Sequence, residues 1–141
     1  MTMTGRILAI DYGERRIGLA VSDPSGTIAT PVGHLARRSG KRPPVAELAR
    51  QATALGVSGL VLGLPLDAEG AETPRAAEVR SVGAALAART GLAVRYVDER
   101  FTTASALRTI KTIGGSTRGR KGDVDALAAA ILLQHALALP E

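Results

Sequence analysis

The sequence predicts an α/β fold, a mixed sheet with helices on its faces. Three apolar segments joined by short turns open the chain, and strand-like and helix-like segments alternate after them. A last segment, apolar on nearly every side, reads as a buried helix. Strands joined by short turns pair antiparallel, and strands joined through helices pair parallel. The expected sheet therefore has five strands, three antiparallel followed by two parallel. With 141 residues and no repeat, linker or low-complexity tract, the chain suits one domain, 1–141.

Each element has a local reason. Ile7 to Ile10 run apolar into Asp11, and Gly13 follows in a tight turn. Ile17, Leu19 and Val21 then alternate with Gly18, Ala20 and Ser22, the period of a strand. Asp23-Pro24-Ser25-Gly26 is a turn, and Thr27 to Val32 is a third strand leaving by Pro31 and Gly33. Arg37, Arg38, Lys41 and Arg42 form a basic loop, either solvated or in contact with phosphate. A helix runs from Pro44 to Gly56, with Val45, Leu48, Ala49, Ala52 and Leu55 as its apolar stripe. Leu60 to Leu64 is a short buried strand closed by Pro65, and Leu66 to Thr73 reads as a polar, mobile loop. A second helix runs from Pro74 to Thr90 and stops at Gly91; LAVRYVDER follows as a strand ending in acids. Thr102 or Thr103 then caps a helix carrying Leu107, Ile110 and Ile113. GGSTRGRKG, with Arg118, Arg120 and Lys121 and no carboxylate, reads as a flexible cationic segment suited to phosphate. The last helix spans about Asp123 to Leu139.

Composition narrows the function. Hydrophobic residues make up 45% and aromatics 2%, so the core is aliphatic and base stacking on surface rings is disfavoured. The absence of cysteine removes disulfides, thiolate metal sites and a cysteine nucleophile together. The opening residues lack the apolar run of a signal peptide, and no segment reaches the ~18 apolar residues of a membrane span. The expected location is the cytoplasm, with no membrane partner. A formal net charge of +5 favours polyanionic partners.

Acids recur where elements end or begin. Asp11 ends a buried strand, Asp98 and Glu99 end another, and Asp123 and Asp125 open the last helix. Strand ends line the usual crevice of open α/β sheets. Three carboxylates meeting there make a hard oxygen site, suited to Mg²⁺ or Mn²⁺ and to metal-assisted phosphoryl transfer. Neighbours on a strand face opposite ways, so only one of Asp98 and Glu99 can join Asp11. Asp123 reads as the helix cap. Asp125 is either a first-turn partner of the helix dipole or a ligand, and Asp11 either an arginine's partner or a ligand. His34 reads as loop surface and His135 as a packed helix residue.

Four motifs, LAIDYGERRIGLAVSD, GLPLDAEG, VDERFTT and KGDVDALAAAILLQ, in that order, resemble the YqgF (RuvX) family over nearly the whole chain. This is a bacterial group of pre-16S rRNA nucleases, formerly described as Holliday junction resolvases. The resemblance implies an RNase H-like fold shared with the RuvC resolvases. It implies an acid triad of Asp11, Glu99 and Asp125 as catalytic metal ligands. It also implies hydrolysis of structured RNA during 5′-end maturation of pre-16S rRNA in ribosome biogenesis, on free precursor or on a ribosomal particle. The RuvC-like pattern places a further acid one helical turn before Asp125, where this chain has Gly122 and where Asp123 is out of phase. Arg15, Arg16, Arg118, Arg120 and Lys121 are the expected phosphate contacts. A resolvase of branched DNA is one alternative and would need a homodimer; a monomer suits RNA. A non-catalytic RNA-binding assembly factor is another. A sugar-kinase-like ATP site, which ILAIDYG also resembles, needs two such domains and does not fit the length.

Overall fold

A computed structural model of the chain describes residues 5–37, 42–100 and 121–139. Five strands form one sheet: β1 (Ile7–Tyr12), β2 (Arg16–Ser22), β3 (Ala29–Ala36), β4 (Gly59–Leu64) and β5 (Ala93–Asp98). Their order is β3-β2-β1-β4-β5. β1 pairs antiparallel with β2, and β2 with β3. β1 pairs parallel with β4, and β4 with β5. The described helices are α1 (Val45–Leu55), α2 (Pro74–Thr90) and α3 (Lys121–Ala138). The mixed sheet and its helices on both faces match the sequence expectation. The expected helix after Thr102 and the cationic segment with Arg118 and Arg120 lie outside the described residues.

The pleat divides the core. Leu8, Ile10, Leu60 and Leu62 point to one face, where Leu48, Ala52, Val79 and Leu86 of α1 and α2 cover them. Ile7, Ala9, Ala20, Val61 and Val97 point to the other, under Ala128, Ala129, Leu132 and Leu133 of α3. Alternate strand residues are thus buried on opposite sides, which fixes the register of the central strands.

The stops fall where the sequence places them. Gly56 and Gly91 end α1 and α2 at φ 66° and 73°, the left-handed region that favours glycine. Thr73 caps α2 through its Oγ1, which accepts from the Ala76 N–H at 3.2 Å. Pro44 precedes α1 as its N-cap instead of lying in the first turn.

Several expectations need revision. β3 starts at Ala29 and runs past Pro31 and Gly33 to Ala36. Pro31 and Gly33 mark a register shift in an edge strand, where a missing N–H and a glycine at φ 137° are tolerated. His34 is therefore an exposed strand residue opposite Gly18, not loop surface. The loop after β4 is a closed, hydrogen-bonded turn: Asp67 Oδ1 accepts from the N–H of Glu69 and of Ala71, both at 2.9 Å. Arg100 also donates from Nη1 to the carbonyls of Asp67 and Ala68. α3 starts at Lys121, so Asp123 lies within its first turn rather than at the cap. Nor is α3 buried all round, because it lies on the sheet by one side and leaves Leu127 44% exposed.

α3 crosses β2 at an unusually short distance. A Cβ on Gly18 would lie 1.9 Å from the carbonyl oxygen of Asp125 and 3.1 Å from the nitrogen of Ala126. The obstacle is helix backbone, which cannot rotate away. Gly18→Ala must lift α3 off β2; the expected cost is about 1–3 kcal/mol of stability, read as a lowered urea midpoint. Beyond β5, Arg100 donates from Nε and Nη2 to the Asp98 carboxylate, the latter at 2.8 Å. This guanidinium holds the Asp98 carboxyl below the usual carboxylate range. Its stabilisation is complete above the unfolded pKa and is lost as pH falls through the depressed folded value. Arg100→Gln should flatten the fall of the urea midpoint below roughly pH 4, the ordinary aspartate range.

Candidate active site

Asp11 is the fifth residue of β1 and shares the α3-facing side with Ile7 and Ala9. It is 3% exposed. Burying a carboxylate at the end of an apolar strand is costly, so the surroundings are informative. On its β2 side the cross-strand partner is Gly18. On its β4 side the parallel pairing Ile10–Leu62 brings the next residue, Gly63, to the same level. Asp11 therefore stands between two strand positions that carry no side chain.

Each gap is filled by an acid-bearing segment. Over Gly18 lies the first part of α3 with Asp125, itself 2% exposed. Over Gly63 lies Glu99, 5% exposed, whose Oε2 is 2.4 Å from where a Cβ would be. Leu132 of α3 closes the same gap at 2.9 Å. The three acids expected from the family motifs are thus all buried on the α3 side of the sheet, around the ends of β1 and β5.

The pleat separates Asp98 from Glu99. Asp98 pairs with Leu64 and follows Val94 and Tyr96 on the face of α1 and α2. Its carboxylate is bound to Arg100. Glu99 follows Val97 onto the other face, and its N–H reaches the Leu64 carbonyl at 3.5 Å.

The cations are distributed unevenly. Arg16 shares the α3-facing side of β2 with Gly18, and its Nε donates to Asp125 Oδ2 at 2.8 Å. Arg15 is exposed in the β1–β2 turn. Arg118 and Arg120 lie outside the described residues, as does the side chain of Lys121. Arg37, expected in a basic loop, instead donates from Nη1 to the Gly13 carbonyl at 2.8 Å and lies over the Tyr12 ring at 4.2 Å. Arg75 donates to the Tyr12 carbonyl at 2.9 Å. Together they brace the turn after Asp11, a role invisible locally because they come from 24 and 63 residues away. Gly18 and Gly63 were also missed as site residues, although glycine inside a strand signals close approach.

The donor chemistry suits a hard divalent ion, being carboxylate oxygen throughout. As they stand, no three acidic or imidazole side chains among the described residues are grouped to hold one. Asp125 is turned to Arg16. Among the described residues no helix is long and apolar enough to cross a membrane.

The chain is similar to known proteins. The RuvX family, described as Holliday junction resolvase, matches residues 5–139. A relative from Clavibacter michiganensis subsp. michiganensis is 41% identical over 133 residues, covering 94% of this chain and 83% of its own. One from Paramagnetospirillum magneticum is 42% identical over 132 residues, covering 94% and 84%. Both are provisionally named pre-16S rRNA nuclease. Two structures of Thermus thermophilus RuvC, one with a Holliday junction substrate, share the fold. Their TM-scores are 0.55 and 0.57 at 18% and 15% identity, over 94% of this chain and 93% of each of theirs. On these matches the chain belongs to the RuvX family, a family of nucleases built on the RuvC-like, RNase H-like sheet.

Proposed function

We propose that this chain cleaves phosphodiester bonds in structured RNA, in the 5′-end maturation of pre-16S rRNA in the cytoplasm. Asp11, Glu99 and Asp125 are the catalytic acids and hold Mg²⁺ or Mn²⁺. The observation that carries this reading is the burial of all three acids on one face, with Gly18 and Gly63 clearing the ground beside Asp11. A fold that needed these positions only for packing would gain by apolar residues there. When bound there, such a cation would supply the positive charge that acidifies a water nucleophile and offsets charge on the leaving oxygen.

The chain's own residues do the positioning. β1 and the braced turn hold Asp11 in place, the β5 exit delivers Glu99, and α3 delivers Asp125. Arg15, exposed in the turn that follows β1, is assigned to the phosphodiester backbone. Arg118 and Arg120, which precede α3 in the sequence, and Lys121, its first residue, add positive charge and are assigned to the same polyanion. A monomer suffices for one cut.

The second reading is a resolvase of branched DNA, favoured by the family description. It requires two sites in a homodimer. Labelled structured RNA and a four-way DNA junction, each with Mn²⁺, Mg²⁺ or EDTA, separate the readings. RNA cleavage should be metal-dependent and fall at least about 100-fold in Asp11→Asn, Glu99→Gln and Asp125→Asn. Asp98→Asn should cleave like wild type. Cleavage retained in Asp11→Asn would remove the assignment, and symmetric cutting of the junction alone would replace RNA by branched DNA. Binding without cleavage, unchanged by EDTA, would leave a non-catalytic RNA-binding factor.

A further inference from the structure

Arg16 stands where two demands meet. Its Nε donates to Asp125 Oδ2 at 2.8 Å, and the two side chains are 22% and 3% exposed. It lies two residues from Gly18 on the same face, diagonal to Asp11 across the β1–β2 pair. Its backbone is fixed, since its carbonyl accepts from the Gly13 N–H at 3.1 Å and it pairs with Ala36 of β3. A Cβ on Gly13 would lie 2.6 Å from that carbonyl, so the turn stays closed. The freedom left to Arg16 is that of its side chain.

A carboxylate as buried as Asp125 needs a counter-charge. Arg16 supplies it in the ion-free protein. A divalent cation bound by Asp125 supplies the same charge twice over, and two positive groups on one buried carboxylate repel each other. Arginine cannot relieve that repulsion by losing a proton. It has to move, and its partly exposed side chain carries the guanidinium on a long flexible stem.

We propose that Arg16 is a displaceable counter-ion: it neutralises Asp125 while the site is empty, yields that carboxylate to the divalent cation, and then engages a substrate phosphate. This rests on the reading of Asp11, Glu99 and Asp125 as the metal-binding acids. The exchange couples the two ligands. Metal frees the guanidinium that the nucleic acid uses, and by reciprocity bound nucleic acid tightens metal binding. Only the partners of existing hydrogen bonds change, and no covalent step is involved.

The test is Mn²⁺ binding, followed by electron paramagnetic resonance and calorimetry on the full chain without nucleic acid. Arg16→Gln should bind Mn²⁺ about tenfold more tightly than wild type, within the usual span of a coupling between sites. It should be less stable to urea without metal and recover with saturating Mn²⁺. The gain should vanish when Asp125→Asn is added. Mn²⁺ should also raise the affinity of wild type, but not of Arg16→Gln, for a catalytically uncleavable RNA. Unchanged or weaker Mn²⁺ binding by Arg16→Gln, with wild-type binding still dependent on Asp11, would overturn the exchange and leave the nuclease reading intact. Mn²⁺ binding that survives in Asp11→Asn and Asp125→Asn alike would overturn both. Wild type alone gives a second measurement. Its Arg16 Nε–H should exchange slowly with water in the ion-free protein and quickly in saturating Mg²⁺; a bond that persists in Mg²⁺ overturns the proposal.

Discussion

The close seating of α3 on Gly18 of β2 is the contact on which the rest depends. Sheets and helices ordinarily stand apart by the depth of their side chains. Here one side chain is absent, and the helix backbone at Asp125 and Ala126 comes down onto the strand. The small residues Ala128, Ala129 and Ala136 continue the close packing along the helix. Because Gly18 pairs with Asp11, the same contact delivers a second carboxylate beside the first. Packing and chemistry use one geometry.

The other side of Asp11 repeats the device with different parts. Gly63 makes space in β4, and the glutamate that leaves β5 folds its side chain into that space. The two glycines allow three acids from distant parts of the chain to share one buried face. Their surroundings are electrostatically graded. Asp125 is neutralised by Arg16, while Asp98, one residue from Glu99, is taken out of contention by Arg100 on the opposite face. Adjacent acids thus have separate fates because a strand alternates its side chains.

Membership of the RuvX family makes a nuclease the natural use of this face, and the buried acids are a costly feature with no packing advantage. Among the described residues, the arginines near the acids play two parts. Arg37, Arg75 and Arg100 are tied to backbone carbonyls or to Tyr12 and Asp98, and serve the architecture. Arg15 is open to solvent, and Arg16 reaches inward to Asp125.

The sequence by itself determined the element order, the mixed sheet, the helix stops at Gly56 and Gly91 and the acids at strand ends. These are written in local periodicity and in backbone preferences that act over a few residues. Its errors were local too. Pro31 and Gly33 read as a strand end, but an edge strand absorbs both at a shifted register. The bonds from Arg100 to the polar stretch after β4, more than 30 residues back, do not show in a window either. Only the tertiary structure decided that Glu99 and not Asp98 shares the face of Asp11, that Asp125 is held by Arg16, and that Gly18 and Gly63 flank Asp11. Each of these depends on which residues oppose one another across strands and on how near a helix can come. Those distances exist only once segments far apart in the chain are packed together.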